Sequence, residues 1–309
     1  MKHLCIINPK AGQLNGRIDE LVDEITGFFA GNPGLDYSIH ITRWKRDASG
    51  YVMRYVRNAS DMVRVYVFGG GGALFEVING VVGLPNVQLA WYPLGTDNDL
   101  LTVFGKKSIG AFQSMKNLSR SPAIPIDTIL AGNHYFVTHT YIGIEAVSYL
   151  LGTKLAETVL LPVNFCYIVA AFYYAFLKKI IRHYHIEIDN IVLDDDYIGM
   201  FIMNVPGNAV GTTAPEARLN DGYMDLYVIK QVPRNLINKI IKDYQRGLYK
   251  KWPQYISHHR CKKLKITSAA DMTIAMDGEA FYNRELNMEI KPSSINFVCP
   301  AVIMNGEIP

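Results

Sequence analysis

Charge is scarce in this chain of 309 residues: Lys, Arg, Asp and Glu together make up 19% of it, and the net charge is only +3. A dedicated nucleic-acid binder usually carries a basic stripe and a far higher isoelectric point, so the charge argues against that class. Disorder is excluded by the same low charge together with the 49% of hydrophobic residues. Cysteine is sparse. Cys5, Cys166, Cys261 and Cys299 stand far apart and form no C-x-x-C pair, which argues against both a zinc site and a disulfide framework. They read as free, mostly buried thiols in a reducing cytoplasm. An apolar leader is missing as well: polar Asn8, Pro9 and Lys10 follow a very short apolar start, so no signal peptide is expected. There is no internal repeat and no low-complexity segment.

Long hydrophobic runs are nearly absent. The exception, residues 158–177, carries no charge and lies between Glu157 and Lys178-Lys179. Its length meets the crude criterion for a spanning helix. Pro162, Asn164, several tyrosines and Ala170-Ala171 dilute it. The reading is a buried or groove-facing helix with Pro162 near its start, and a lipid-contacting helix is the intermediate case.

What is present divides into two textures, and the length suffices for two domains of ordinary size. The first third alternates. Residues 4–8, 37–42, 65–68 and 87–92 carry strand patterns, and residues 17–30, 48–57 and 74–80 carry helical ones. A βαβαβ order implies a parallel sheet with helices on its faces. Ligands of such sheets sit beyond the carboxyl ends of the strands. After about Ile126 short β-type runs dominate, at 128–130, 135–141, 185–188, 197–204, 224–229, 264–266, 272–276 and 295–298. Two helical stretches, 160–181 and 235–249, interrupt them. The expected architecture is a Rossmann-like α/β domain over 1–126 and a mainly antiparallel β-sandwich domain over 127–299. Residues 300–309 are expected to return to the first domain.

Three turns at the carboxyl ends of the first-domain strands hold candidate chemistry: Asn8 to Gly12, Gly69 to Ala73, and Leu94 to Asp99. A glycine run after a buried strand lets backbone N–H groups and a helix N-terminus approach a phosphate. Gly69-Gly70-Gly71-Gly72 has that context, but alone it could be an ordinary flexible turn. Three such turns at one end of one sheet are harder to dismiss.

The motifs then become specific. Asn8-Pro9-x-x-Gly12 is followed by the glycine turn, Leu74-x-Glu76-Val77-x-Asn79-Gly80, and Pro93-x-Gly95-Thr96-x-Asn98-Asp99. In the second half come Asn204, Ala214-Pro215-x-Ala217-x(3)-Asp221-Gly222-x-Met224-Asp225, and Asp277-Gly278-Glu279. In this order, over nearly the whole chain, they resemble bacterial diacylglycerol kinase-like lipid kinases and the catalytic domain of sphingoid-base kinases.

The resemblance implies roles. Asn8, Pro9, Lys10, Ala11, Gly12, Thr42, Gly69, Gly70, Gly71, Gly72, Ala73 and Thr96 would line an ATP site. Glu279, with Asp277 beside it in the catalytic element, would take the proton from a lipid hydroxyl. Asp221 and the backbone carbonyls of Arg218 and Tyr223 would hold a structural Mg²⁺, which Asp99 and Asp127 would reach through waters. The chemistry is coherent in its own right: phosphoryl transfer needs positioning, charge neutralisation and a carboxylate near the attacking hydroxyl, and hard oxygen ligands suit Mg²⁺.

Several positions depart from the family pattern. Its glycine turn reads GGDGT, whereas here it is Gly69-Gly70-Gly71-Gly72-Ala73. The usual Asn two residues later is Phe75, the turn after Asn204 is reduced to Val210-Gly211-Thr212, and Thr138 replaces an Asn. The expected activity is ATP-dependent phosphorylation of a lipid hydroxyl, with diacylglycerol leading and a sphingoid base, an undecaprenol-like lipid or a nicotinamide dinucleotide behind it. The rival is a catalytically weak nucleotide- or lipid-binding protein, favoured by Gly71 and Ala73. The expected setting is cytoplasmic with peripheral membrane contact, and a homodimer is left open.

Weaker candidates remain. His183-x-His185 and His258-His259 read as strand and surface residues rather than metal ligands. Lys242, Arg246, Lys250, Lys251, Trp252, Arg260, Lys262 and Lys263 form a basic, aromatic cluster that could meet anionic lipid with Trp252 at the interface, or be an ordinary charged face.

Overall fold

A computed structural model describes the chain except residues 13, 15, 96–97, 106–107, 160–165, 167–168, 171–180, 208–210, 278 and 305–309, and except the side chains of 102, 153, 156, 157, 159, 279, 302 and 304. The chain forms two compact units, Met1–Thr128 with Lys291–Pro309, and Ile129–Ile290.

In the first unit β1 (Lys2–Ile7), β2 (Asp36–Ile41), β3 (Val63–Gly69) and β4 (Val87–Pro93) pair in parallel in the order β4-β3-β1-β2. Every residue of β3 is buried, as expected for a central strand covered on both faces. Between the strands run α1 (Ile18–Ala30), α2 (Asp47–Arg57) and α3 (Gly71–Val81). Each buries one apolar stripe: Leu21, Ile25 and Phe29 on α1, Val52 and Val56 on α2, and Leu74, Val77 and Ile78 on α3. Asp19 and Glu20 in the first turn of α1 suit its N-terminal dipole, as do Asp47 at the start and Arg54 and Arg57 at the end of α2. Gly80 shows why α3 carries a glycine there: an added Cβ would lie 2.8 Å from the Ser49 carbonyl oxygen and 2.5 Å from Val52 on α2. Two short helices, α4 (Ile109–Phe112) and α5 (Met115–Arg120), precede β5 (Ala123–Ala131).

The second unit contains β6 (His134–Phe136), β7 (His139–Gly143), α6 (Ile144–Val159), β8 (Arg182–Ile188), β9 (Ile191–Tyr197), β10 (Gly199–Met203), β11 (Met224–Ile229), α7 (Ile237–Tyr244), β12 (Ile256–Cys261), β13 (Lys263–Met276) and β14 (Glu279–Val298). Pairing is antiparallel through β12-β11-β10-β7-β13-β14. β13 changes partner along its length: residues 264–267 pair with β8 and residues 274–276 with β7, and its register against β14 shifts between Thr267 and Met272. Phe201, Met203, Tyr227, Ile229, Ile240 and Tyr244 form part of this unit's core. The last residues of β14, from Lys291, belong to the first unit, where Phe297 pairs with Leu89 of β4, and α8 (Ala301–Met304) follows.

The mixed class is that expected from sequence: an α/β N-terminal half and a β-rich C-terminal half. The details differ. Residues 135–141 make two strands rather than one run, and 264–276 make one strand rather than two. The expected helix over 235–249 ends at Tyr244, and a 3-10 turn follows at Tyr249–Lys251. Gly247 lies between them at φ +72°, outside helical geometry. The helix expected over 160–181 lies largely outside the described residues. No helix among the described residues is long and apolar enough to cross a membrane. All four cysteines are buried and free.

Candidate active site

In the first unit three turns converge at the carboxyl ends of adjacent strands. The Asn8 amide donates to the Phe68 carbonyl at 2.9 Å, and the Leu94 amide to the Gly69 carbonyl at 3.0 Å. A Cβ on Gly69 would lie 3.4 Å from that of Asn8, and one on Gly70 would lie 3.2 Å from the Gly95 Cα. The three turns therefore pack closely together, and at Gly69 a Cβ would also fall 2.6 Å from that of Ala73, a spacing that leaves room for glycine alone. The Asn8 side chain accepts the Lys10 amide at 3.0 Å and so fixes the Asn8–Gly12 turn. The Thr42 amide and hydroxyl both reach the Ile7 carbonyl, at 2.9 and 3.3 Å, which brings the end of β2 to the same edge.

The glycine turn ends in α3, whose N-cap is Gly70, and no side chain caps that helix. Its first-turn N–H groups and dipole thus face the turns, the arrangement that receives phosphate oxygens. Asn98 donates to the Gly95 carbonyl at 3.2 Å, while its own buried Oδ1 has no hydrogen-bond partner among the described residues. The α3 N–H groups fit the phosphates of a nucleotide, and the Asn98 oxygen, an acceptor, would suit a hydroxyl or amino donor beside them. Thr96 lies outside the described residues. Asp99 is buried. Asp127 is also buried, and its Oδ1 accepts the Ser293 amide at 2.8 Å.

In the second unit Asp277 organises the turn between β6 and β7. Its carboxylate accepts the amides of Val137 at 3.0 Å, Thr138 at 3.3 Å and His139 at 3.2 Å, and also the Thr138 hydroxyl. Asn204 holds the same turn from the other side: its side chain donates to the Val137 carbonyl and its amide to the Thr138 carbonyl, both at 2.9 Å. Three motif positions, Thr138, Asn204 and Asp277, thus form one polar knot. Asp277 has φ +41°, a left-handed residue in the link from β13 to β14. Its hydrogen bonds fix the link from β13 to β14, the strand that begins with Glu279. The Glu279 backbone pairs with Met276.

The positions assigned to a structural Mg²⁺ are partly engaged by the protein itself. Asp221 accepts the Tyr223 amide at 3.1 Å on Oδ1 and the Arg260 guanidinium on Oδ2. The Arg218 guanidinium donates to the carbonyls of Pro215 and Ala217, at 2.9 Å each. As it stands, Asp221 already carries a cation, so a metal there would have to displace or share the Arg260 contact. Asp99 and Asp127 belong to the first unit.

Arg260 was legible only as part of a basic cluster. Its position directly across from Asp225 on paired strands explains it. Asp225 is fully buried, takes His258 Nε2 at 2.6 Å on Oδ1, and has no donor for Oδ2 among the described residues. Tyr249 in turn meets His258 Nδ1 at 3.1 Å. His183 sits between Asp194 and Asp196, at 2.7 and 3.1 Å, and these carboxylates raise its pKa. Among the described residues no group of three or more His, Cys, Asp or Glu is arranged to hold a metal. Of the two readings of the basic cluster, a lipid interface at Trp252 or an ordinary charged face, the first does not hold for the ring: Trp252 is buried, with its Nε1 donating to Asp243 at 3.1 Å.

Sequence reading also missed Glu145, which follows the buried strand β7 at the start of α6. Burial pushes its carboxyl up from 4.5 to about 7. The Tyr244 hydroxyl is raised as well, first by burial and then by the Glu145 charge. A single acid inside the apolar run 141–147 is the signal that could have flagged it.

Comparisons with known proteins agree across both units. Residues 2–131 match a diacylglycerol kinase catalytic domain. Residues 140–299, more than half of the chain, match a YegS C-terminal NAD kinase beta sandwich-like domain. A Staphylococcus epidermidis protein named diacylglycerol kinase is 27% identical over 281 residues, spanning 89% of this chain and 85% of its own. A Shewanella frigidimarina protein named "Probable lipid kinase YegS-like" is 26% identical over 277 residues, spanning 84% and 85%. The crystal structure of a diacylglycerol kinase from Bacillus anthracis covers 98% of both chains with a TM-score of 0.69 at 20% identity, which shows the same fold. With both domain matches in sequence order and the glycine turns in place, the chain belongs to the diacylglycerol kinase-like lipid kinase family.

Proposed function

We propose that the chain transfers the γ-phosphoryl group of ATP to the free hydroxyl of diacylglycerol, giving phosphatidic acid and ADP. The observation that carries this reading is the meeting of the Asn8, Gly69-Gly70 and Gly95 turns beneath the uncapped N-terminus of α3. Backbone N–H groups fixed there before the nucleotide arrives stabilise phosphate charge without reorganisation. Thr42 extends the same edge. Glu279 accepts the proton as the lipid oxygen bonds to the γ-phosphorus and the bond to the β–γ bridging oxygen breaks. Asp277 sets the hairpin that carries it. Mg²⁺, when bound with ATP, supplies neutralisation of the β- and γ-phosphate charge.

Diacylglycerol is favoured over a sphingoid base because relatives such as the Staphylococcus epidermidis protein carry the name diacylglycerol kinase. The working place of such an enzyme is the cytoplasmic face of a membrane, which it meets as a peripheral protein. Gly71 and Ala73 supply neither the acid nor the hydroxyl of the family's glycine turn, so turnover is slow. A weak nucleotide- or lipid-binding protein is the second reading, and it rests on those same two residues. Calorimetric titration with ATP, with and without Mg²⁺, separates these ideas at their base. Heat of binding at millimolar ATP or below supports the phosphate cradle, and none at that concentration removes the kinase and nucleotide-binding readings and leaves only the lipid binder.

A further inference from the structure

Arg43, Trp44, Lys45 and Arg46 link β2 to α2, and all four are exposed. Trp44 keeps 66% of its surface in solvent, whereas the other two tryptophans, Trp91 and Trp252, keep 1% and 9%. A single exposed apolar residue would need no account. Trp44 differs in two respects: cations flank it on both sides, and its loop is fixed at both ends.

The fixing is specific. Asp47, itself buried, accepts the Arg43 amide at 2.9 Å and faces His40 Nε2 at 3.1 Å. The His40 ring stacks on Tyr51 with centroids 3.6 Å apart. At the other end Arg46 adopts φ +68°, and its amide donates to the Glu76 carboxylate on α3 at 2.8 Å. The two acids thus bind backbone amides at the loop's ends. The tetrapeptide is therefore held in a defined shape with all four residues exposed.

We propose that Arg43, Trp44, Lys45 and Arg46 are a docking surface for an anionic lipid bilayer. The indole enters the headgroup layer and the cations meet the lipid phosphates. An amphipathic ring beside basic residues suits that layer, where Trp is favoured and each cation adds electrostatic attraction. The loop begins at Thr42, at the same end of the sheet as the phosphate turns, so docking brings that end to the surface where a lipid substrate resides. The inference rests on the lipid-kinase reading, and it moves the interface from buried Trp252 to Trp44.

The burial pattern provides the test. With Trp91 and Trp252 buried, a change in tryptophan emission on mixing with vesicles reports Trp44. Vesicles of equal parts phosphatidylcholine and phosphatidylglycerol should shift the emission to the blue, and phosphatidylcholine alone should shift it far less. In sedimentation with the mixed vesicles, Trp44→Ala should weaken partitioning about tenfold, and Arg43→Gln and Arg46→Gln about fivefold each. ATP binding by all three variants should match the wild type. Unmoved emission, unchanged partitioning, or ATP binding weakened by Trp44→Ala would overturn the proposal; the last would assign the loop to the nucleotide. Turnover of diacylglycerol in detergent micelles reads the kinase activity separately, so either can fail without the other.

Discussion

The carboxylate of Asp277 accepts a hydrogen bond from the Val137 amide at 3.0 Å, across 140 residues of sequence. This contact, with those to Thr138 and His139, joins the start of the β-rich half to the hairpin that bears Glu279. Removing a carboxylate that binds several amides leaves those donors unpaired, and each such bond is worth about 1.5–3 kcal/mol. Asp277→Ala should therefore destabilise the protein by about 2–4 kcal/mol and lower kcat while leaving the KM for ATP unchanged. Asp277→Asn, which keeps one acceptor, should lose less of both. Denaturant melts and steady-state kinetics on the two variants check this. Equal kcat in all three proteins would remove the positioning role.

The pairing of Asp221 with Arg260 sets protein cation against metal. The wild-type melting temperature should respond weakly to Mg²⁺ and EDTA. Arg260→Gln removes the competing guanidinium from the carboxylate, so Mg²⁺ should then raise the melting temperature, because a ligand bound only by the folded state stabilises it. Adding Asp221→Ala should abolish that gain. A large EDTA effect on the wild type would mean that ion and guanidinium coexist.

Glu145 gives a pH dependence with a definite sign. Burial raises its folded pKa from 4.5 to about 7, so between those values the folded state holds a proton that the unfolded chain has released. The stability advantage is full below the lower value, falls as pH rises through the window, and is gone above about 7. At roughly 1.4 kcal/mol per unit this amounts to about 3 kcal/mol. Subtracting the pH profile of Glu145→Gln from that of the wild type should isolate the slope. Superimposable profiles would show that Glu145 ionises freely.

Much of the first unit was readable because its strands are short buried runs and its helices carry a single apolar stripe. Gly69, Gly70 and Gly80 were visible as motif letters, but their reasons, close approach to Asn8, Gly95 and Ser49, are tertiary. The β-rich half was read less well. β9 contains Asp194, Asp195 and Asp196, which oppose strand propensity. It forms because β8 places His183 opposite Asp196 and His185 opposite Asp194. α6 was missed because it follows β7 without a polar break. The contacts of Asp277 and Arg260 join residues distant in sequence, and nothing local announces them. Trp44 and Trp252 illustrate the limit: composition marks both as amphipathic, and only the fold decides which one meets water.

The proposed reaction moves the γ-phosphoryl group of ATP to a lipid hydroxyl through Glu279, at a rate limited by the glycine turn. The most direct measurement is formation of radiolabelled phosphatidic acid from labelled ATP and diacylglycerol by the wild type, Gly71→Asp, Glu279→Gln and the double variant, at matched folding by circular dichroism. The wild type should form product slowly. Gly71→Asp should accelerate it by on the order of 10²–10³, the effect of one preorganised electrostatic group. Glu279→Gln should reduce the rate by roughly 10²–10⁴ in either background, as expected for a positioned general base. Labelled product formed equally well without the Glu279 carboxylate, or no product from any of the four proteins, would contradict the account.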